Sequence, residues 1–156
     1  TWDFIFDRTD KGSTLKMLTM LDEYSRRCLA IRVERQIESE HVLMTLWQAM
    51  TTYGISRYIR SDNGSEFIAQ KIQIWLRKNQ IKTLYIDPGS PWQNGYIESF
   101  HSRFRDECLN REWLLNLREA RGVIEEWREH YNEERPHSRL GYLSPEGFIA
   151  NQKVSP

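Results

Sequence analysis

Ser61-Asp62-Asn63-Gly64-Ser65-Glu66-Phe67 and Gln93-Asn94-Gly95-Tyr96-Ile97-Glu98-Ser99-Phe100 bound the stretch on which the reading of this chain turns. Asp62 ends a short apolar run, Tyr58-Ile59, and Glu98 lies just inside a helix entered through a loop rich in proline and glycine. The two acids are 35 residues apart, not counting themselves. A third acid, Asp3, sits in the aromatic run Trp2-Asp3-Phe4-Ile5-Phe6. Three separated carboxylates on three different elements make chemical sense if they converge on metal ions.

Working outward, the first part of the chain alternates in the two-residue period of strands. Residues 2–6, Leu15 to Leu21 and Cys28 to Val33 read as three strands joined by short polar turns, an antiparallel meander. The period then changes. Val42, Leu43, Leu46, Trp47, Met50 and Tyr53 recur at helical spacing, with Ser39 as N-cap and Gly54 as the stop. Tyr58 to Ser61 is a fourth strand, Phe67 to Asn79 a second helix and Ile81 to Ile86 a fifth strand. The order predicts an α/β fold, a five-stranded mixed sheet with helices on both faces.

Asp87-Pro88-Gly89-Ser90-Pro91-Trp92 is too rich in proline and glycine for regular structure, and Pro88 to Gly95 reads as a mobile loop. Trp92 is expected to anchor that loop by packing, with stacking on an unpaired base as the alternative. A helix from about Asn94 to Leu109 follows. Ile97, Phe100, Phe104 and Cys108 form its apolar stripe, and Asn94, Glu98, His101 and Arg105 step along another face. A further helix covers about Leu117 to Tyr131. The tail from Arg135-Pro136-His137 to Phe148 reads as loop, packed on the core, with a short helical turn at Pro145 to Ala150.

Composition narrows the class. The 156 residues fit a single domain with a real core, supplied by six Trp, seven Tyr and six Phe. Acids and bases balance at 22 each, so any basic surface must be local. Cys28 and Cys108 stand far apart in apolar surroundings, without the spacing of a zinc site; reduced core thiols suit a cytoplasmic protein. No run approaches the length of a membrane span. The chain starts abruptly inside a strand pattern, as expected of a fragment of a longer polypeptide.

Magnesium prefers hard oxygen ligands and retains waters, so one or two carboxylates per ion suffice. Two ions about 3.5–4 Å apart can activate an attacking oxygen and stabilise a leaving one in phosphodiester chemistry. Crowded carboxylates repel one another unless a cation neutralises them. Each acid alone also has a plainer reading: Asp62 as a turn former, Glu98 as a first-turn acid favoured by the helix dipole, Asp3 as an edge-strand charge.

Together, Asp3-Phe4, Ser61 to Phe67, Gln93 to Phe100, Arg103-Phe104-Arg105-Asp106-Glu107, Tyr131-Asn132-Glu133-Glu134-Arg135-Pro136-His137 and Leu140-Gly141-Tyr142 carry a resemblance over nearly the whole chain. It resembles the catalytic core of the DDE transposases of bacterial insertion sequences, which are similar to retroviral integrases and share a ribonuclease H-like fold. The resemblance implies one integrase-type catalytic core domain over residues 1–156, with Asp3, Asp62 and Glu98 as catalytic and metal-binding triad. It implies magnesium or manganese, two ions when assembled with DNA. It implies strand cleavage by water and strand transfer by the freed 3′-hydroxyl, with no covalent enzyme–DNA intermediate. DNA is the implied partner, in a homo-oligomer. Asp7 also follows the first strand, but the family's first acid precedes an aromatic at mid-strand, which favours Asp3. Asp22 is expected to form a turn.

Ser102 and Arg105 lie four and seven residues after Glu98, on nearly the same helical face. In similar cores that face tracks the DNA end, which makes Ser102 and Arg105 candidate DNA contacts, with Arg103 a weaker one. Asn63, Gly64 and Glu66 are expected to shape the turn after Asp62. Two other classes stay open on the sequence: a DNA-binding or assembly module without chemistry, and a plain ribonuclease H-type nuclease.

Overall fold

The computed structural model describes residues 1–62, 64 and 69–154. Strands β1 (Trp2–Arg8), β2 (Thr14–Leu21) and β3 (Cys28–Glu34) form the expected antiparallel meander in the order β1-β2-β3. In the first ladder Asp3 faces Thr19 and Ile5 faces Met17. β2 is central, and its residues are buried almost throughout, which is why it reads as a near-continuous apolar run. β4 (Tyr58–Ser61) and β5 (Lys82–Tyr85) pair in parallel.

One expectation needs correcting. Among the described residues the five strands form a three-stranded antiparallel and a two-stranded parallel sheet, not one five-stranded mixed sheet. β1 and β4 do touch. At their junction a side chain makes a link: Thr1 Oγ1 donates to the Arg60 carbonyl at 3.2 Å. Hydrophobic period tells which face of a strand is buried, but not whether two neighbouring edges close a backbone ladder.

Helices cover both faces of the meander, as expected. On one face, α1 (Ser39–Tyr53) and α2 (Gln70–Lys78) bury Val42, Leu46, Ile72 and Leu76 against Trp2, Leu18 and Met20. On the other, α3 (Gly95–Phe104) and α4 (Leu117–Glu133) bury Ile97, Phe100, Phe104, Ile124, Trp127 and Tyr131 against Ile5, Leu15 and Met17. Phe100 is central there. Its ring meets Tyr131 edge-on at 5.1 Å and Trp127 at 5.7 Å, while Phe104 stacks on Trp127 at 5.0 Å. Alternation along β1 puts Asp3 on the same face as Ile5, the face that α3 covers.

Local sequence explains most boundaries. Gly54 stops α1 at φ 99°, a conformation glycine alone adopts cheaply, and its N–H donates to the Met50 carbonyl. The cap before α1 is Glu38 rather than Ser39; its N–H donates to His41 Nδ1 at 3.0 Å. Asn116 caps α4 by accepting from Glu119 N at 2.9 Å. At the other end of α4, Asn132 grips the start of β3. Its Oδ1 accepts from Cys28 N at 2.7 Å and its Nδ2 donates to Cys28 O at 2.9 Å. Arg128 Nη1 donates to the same carbonyl at 2.9 Å, and Arg121 Nε donates to Val33 O at 3.0 Å.

Two elements differ from the expected helices. The predicted helix to Leu109 changes at Phe104 into a π-turn over Arg105–Leu109, closed by Asn110 N donating to Arg105 O at 2.9 Å. The wider turn lets consecutive residues Cys108 and Leu109 both face the core. The tail holds a full helix, α5 (Pro145–Val154), where only a short turn was expected. Phe67 and Ile68, the predicted start of α2, lie outside the described residues.

Candidate active site

Asp3, on β1, is half-buried, and each of its oxygens has a neighbour. Oδ1 accepts from Phe4 N at 2.8 Å, and Oδ2 accepts from Asn94 Nδ2 at 3.3 Å. Burial pushes its carboxyl up to about 6, and the negative charges of Asp62 and Glu98 push in the same direction. Asp3 on β1 thus feels the charge of the residue after β4 and of the first turn of α3. Asp62 Oδ1 accepts from Gly64 N at 2.8 Å, the turn expected there; Asn63 and Glu66 lie outside the described residues. Glu98 is exposed on α3. Among the described residues the acids are not drawn into a ready-made ligand cluster.

The two rival acids are elsewhere. Asp7 lies four residues, about 13 Å, further along β1, where its charge acts on Cys108. Asp22 takes the turn role: its Oδ2 accepts from Ser25 N at 3.2 Å and Ser25 Oγ at 2.5 Å.

Three neutral residues complete the surroundings. Asn94 is buried and stands between Asp3 and Thr1, whose Oγ1 lies 3.2 Å from Asn94 Oδ1 and shares its one proton between that oxygen and the Arg60 carbonyl. Thr19 is fully buried; its hydroxyl donates to the Asp3 carbonyl at 3.1 Å and lies 2.6 Å from His101 Nε2. With the hydroxyl proton spent on Asp3, Nε2 carries the proton of the second bond. Burial, and then the Arg105 charge, hold His101 down to about 4, so the ring is neutral at pH 7. Asn94 and His101 stand on the Glu98 face of the sequence pattern, but their roles as supports of Asp3 were not read there. Thr19 had no signal, since a threonine in a strand is ordinary.

The candidate DNA contacts divide. Ser102 is exposed on the Glu98 side of α3, and Arg105 lies beyond it, donating from Nη2 to Phe6 O at 3.1 Å. Arg103 points elsewhere, into a cleft with Tyr96, Ser99, Tyr131 and His137. Position 103 is about 140° around the helix from Glu98, which is why it leaves that face. Trp92 is not a packed anchor: it is 74% exposed. The loop it stands on is tied by Gln93 instead, which accepts from Asp87 N at 2.8 Å and donates to Asp87 Oδ2 at 3.0 Å, and residues Pro91–Asn94 wind into a 3₁₀ turn.

Residues 1–91 and, separately, residues 79–145 match family models described as integrase core domain. The chain belongs to the integrase core domain family. Among curated relatives, this integrase core is 43% identical over 156 residues to a 39.2 kDa protein of insertion element IS476 from Xanthomonas euvesicatoria, covering 99% of the chain and 45% of that protein. It is 39% identical to a 31.7 kDa protein of IS407 from Burkholderia multivorans, covering 98% and 55%. It is 26% identical to transposase InsF of IS3fB from Escherichia coli, covering 98% and 54%. The chain thus spans about half the length of the curated relatives it matches.

Solved structures agree on the fold. The integrase core superposes on a chain of the simian T-cell lymphotropic virus intasome with a TM-score of 0.79 at 13% identity, over 99% of this chain and 55% of that one. Against the HTLV-2 integrase catalytic core, in complex with magnesium, the TM-score is 0.64 at 17% identity, over 94% and 92%. No helix among the described residues is long and apolar enough to cross a membrane.

Proposed function

We propose that this chain is the catalytic core of a transposase, which cuts DNA strands by metal-dependent hydrolysis and joins them through the freed 3′-hydroxyl. The observation that carries the reading is the electrostatic coupling of Asp3 to Asp62 and Glu98. Negative charge that raises the proton affinity of a half-buried carboxylate is costly to bring beside it unless a cation is to be held there. Their all-oxygen donor set fits magnesium or manganese, with Asp3, Asp62 and Glu98 as the residues that would hold two ions when DNA is assembled. Such ions supply charge neutralisation and Lewis-acid activation for phosphoryl transfer.

The chain's own residues hold the carboxylates in place. Asn94 steadies one oxygen of Asp3, the Thr19–His101 pair ties α3 to the backbone of β1, and Gly64 orients Asp62. In hydrolysis, a water oxygen bonds to phosphorus as the bond to the 3′-oxygen breaks. In joining, that 3′-hydroxyl attacks a second phosphodiester and displaces its 3′-oxygen. Neither step uses a covalent bond to protein. Ser102 and Arg105 lie along the track of the DNA end, with the core working in a homo-oligomer.

The test is Asp62→Asn assayed with magnesium on a DNA-end substrate. Cleavage and joining are expected to fall by several orders of magnitude while the circular dichroism spectrum is kept. Retained cleavage in that variant would remove Asp62 from the triad.

A further inference from the structure

On the opposite flank of α3 from Glu98 lies a cleft of about 360 Å³. Arg26, Trp92, Tyr96, Arg103, His137 and Arg139 are among the residues that line it. We propose that this cleft binds a phosphate of the DNA strand, with Trp92 offering its ring to the adjoining base. The inference rests on the reading of the chain as a core that acts on DNA.

Charge comes first. Among the described residues no ion pair is recorded for Arg26, Arg103 or Arg139. Arg135, close by, is neutralised by Glu107, whose two oxygens lie 2.8 and 2.9 Å from its Nε. The cleft therefore carries a surplus of arginine in a chain whose net charge is zero. Guanidinium groups match phosphate oxygens in geometry and charge.

Unmet hydrogen bonding is the second, independent observation. Arg26 Nη1 and His137 Nε2 are both buried and have no hydrogen-bond partner among the described residues. His137 is only 5% exposed. Leaving such groups buried and unpaired is destabilising, so each calls for an explanation. Burial and the charges of Arg135, Arg103 and Arg26 hold His137 down to about 4, with Glu107 opposing. The neutral ring, braced edge-on by Tyr131 at 4.9 Å, can donate from Nε2. Arg26, whose guanidinium sits 4.1 Å over the Tyr96 ring, can donate from Nη1. Both residues line the cleft, and an anion there is the partner we assign to them.

Aromatic exposure selects the kind of anion. Trp92 is 74% exposed at the rim, and exposed indoles next to arginine are the usual platform for unpaired bases. Ser99, which also lines the cleft, is the next residue after Glu98. The cleft and the carboxylates thus flank the same turn of α3. The Arg135-Pro136-His137 segment, read from sequence only as packing, supplies one of the two buried donors.

The test uses the full chain and follows the ring signals of its four histidines by NMR, with a single-stranded oligonucleotide and, separately, with inorganic phosphate. The oligonucleotide is expected to shift His137 at micromolar concentration and to leave His41 and His130 in place. Arg103→Ala and Arg139→Ala should each weaken oligonucleotide affinity about tenfold and flatten the logarithmic salt slope by about 0.7, the value for one phosphate on a single strand. Arg139 lies on an exposed turn, so its variant keeps the fold. Trp92→Ala should weaken binding with the slope unchanged. Unaltered slopes in both arginine variants overturn the proposal, as does a His137 response to inorganic phosphate but not to oligonucleotide. Cleavage is a separate readout: a parent protein that binds through the cleft yet never cuts DNA sinks the transposase reading and leaves this site standing.

Discussion

His101 Nε2 lies 2.6 Å from Thr19 Oγ1, and the same hydroxyl bonds to the carbonyl of Asp3. One neutral imidazole thus ties the helix that carries Glu98 to the strand that carries Asp3. Removing Thr19 leaves the His101 Nε2 without its partner, at a cost of about 1–3 kcal/mol, whereas removing His101 leaves Thr19 its bond to the Asp3 carbonyl. Thr19→Val is expected to lower stability by that amount and kcat by more than tenfold, since the proposed triad needs Asp3 and Glu98 in register. Urea unfolding and single-turnover cleavage check both; an unchanged cleavage rate would reduce the pair to packing.

Protonation gives two effects of opposite sign. Asp3 titrates near 6 in the fold and near 4 unfolded, so between those values the folded state binds more protons and stability falls as pH rises. Asp3→Asn should therefore raise Tm at pH 7 without metal, and the gain should vanish near pH 4. Magnesium should stabilise the parent but not the variant.

His101 and His137 are both held down to about 4 against an unfolded value near 6.5. In that window the unfolded chain binds more protons, so acidification from pH 7 to 5 should cost stability, partly offset by Asp3. Replacing His101 with glutamine should flatten the profile in denaturant titrations across this range. A profile identical to the parent's would mean that His101 is not buried neutral.

Arg105→Ala should weaken binding of a DNA end and lower the salt slope by about 0.9, as for one duplex phosphate. The Phe6 carbonyl that Arg105 now meets is at an exposed site, so stability should hardly change. Equal slopes for parent and variant would take the DNA track off this face.

Asn132→Leu orphans the Cys28 N–H, whereas the Cys28 carbonyl keeps Arg128. The loss should be about 1–3 kcal/mol, one unpaired group rather than two. Chemical denaturation reads it directly.

Most of this was legible because period and punctuation are local. Alternation gave β1 to β3, Gly54 stopped α1, and the spacing of Ile97, Phe100 and Phe104 gave the buried face of α3. Asp3, Asp62 and Glu98 each have a plain reading alone, and only their joint spacing suggested the triad proposed above. What escaped the sequence depends on partners far along the chain. Thr19 and His101 are 82 residues apart, and neither reveals the other. Trp92 looked like an anchor because large aromatics pay well when buried, yet Gln93 does the tying through two polar bonds. The π-turn escaped because the apolar stripe over 97–108 suits an unbroken helix equally well.

The grip of α4 on β3 has a further consequence. β3 ends the antiparallel sheet, and a terminal strand is a template onto which another chain can add. Here Asn132 and Arg128 occupy the polar backbone of Cys28, and Arg121 occupies the carbonyl of Val33. Both ends of that border are thereby blunted. When copies of this chain meet at high local concentration, strand addition at the β3 border is disfavoured.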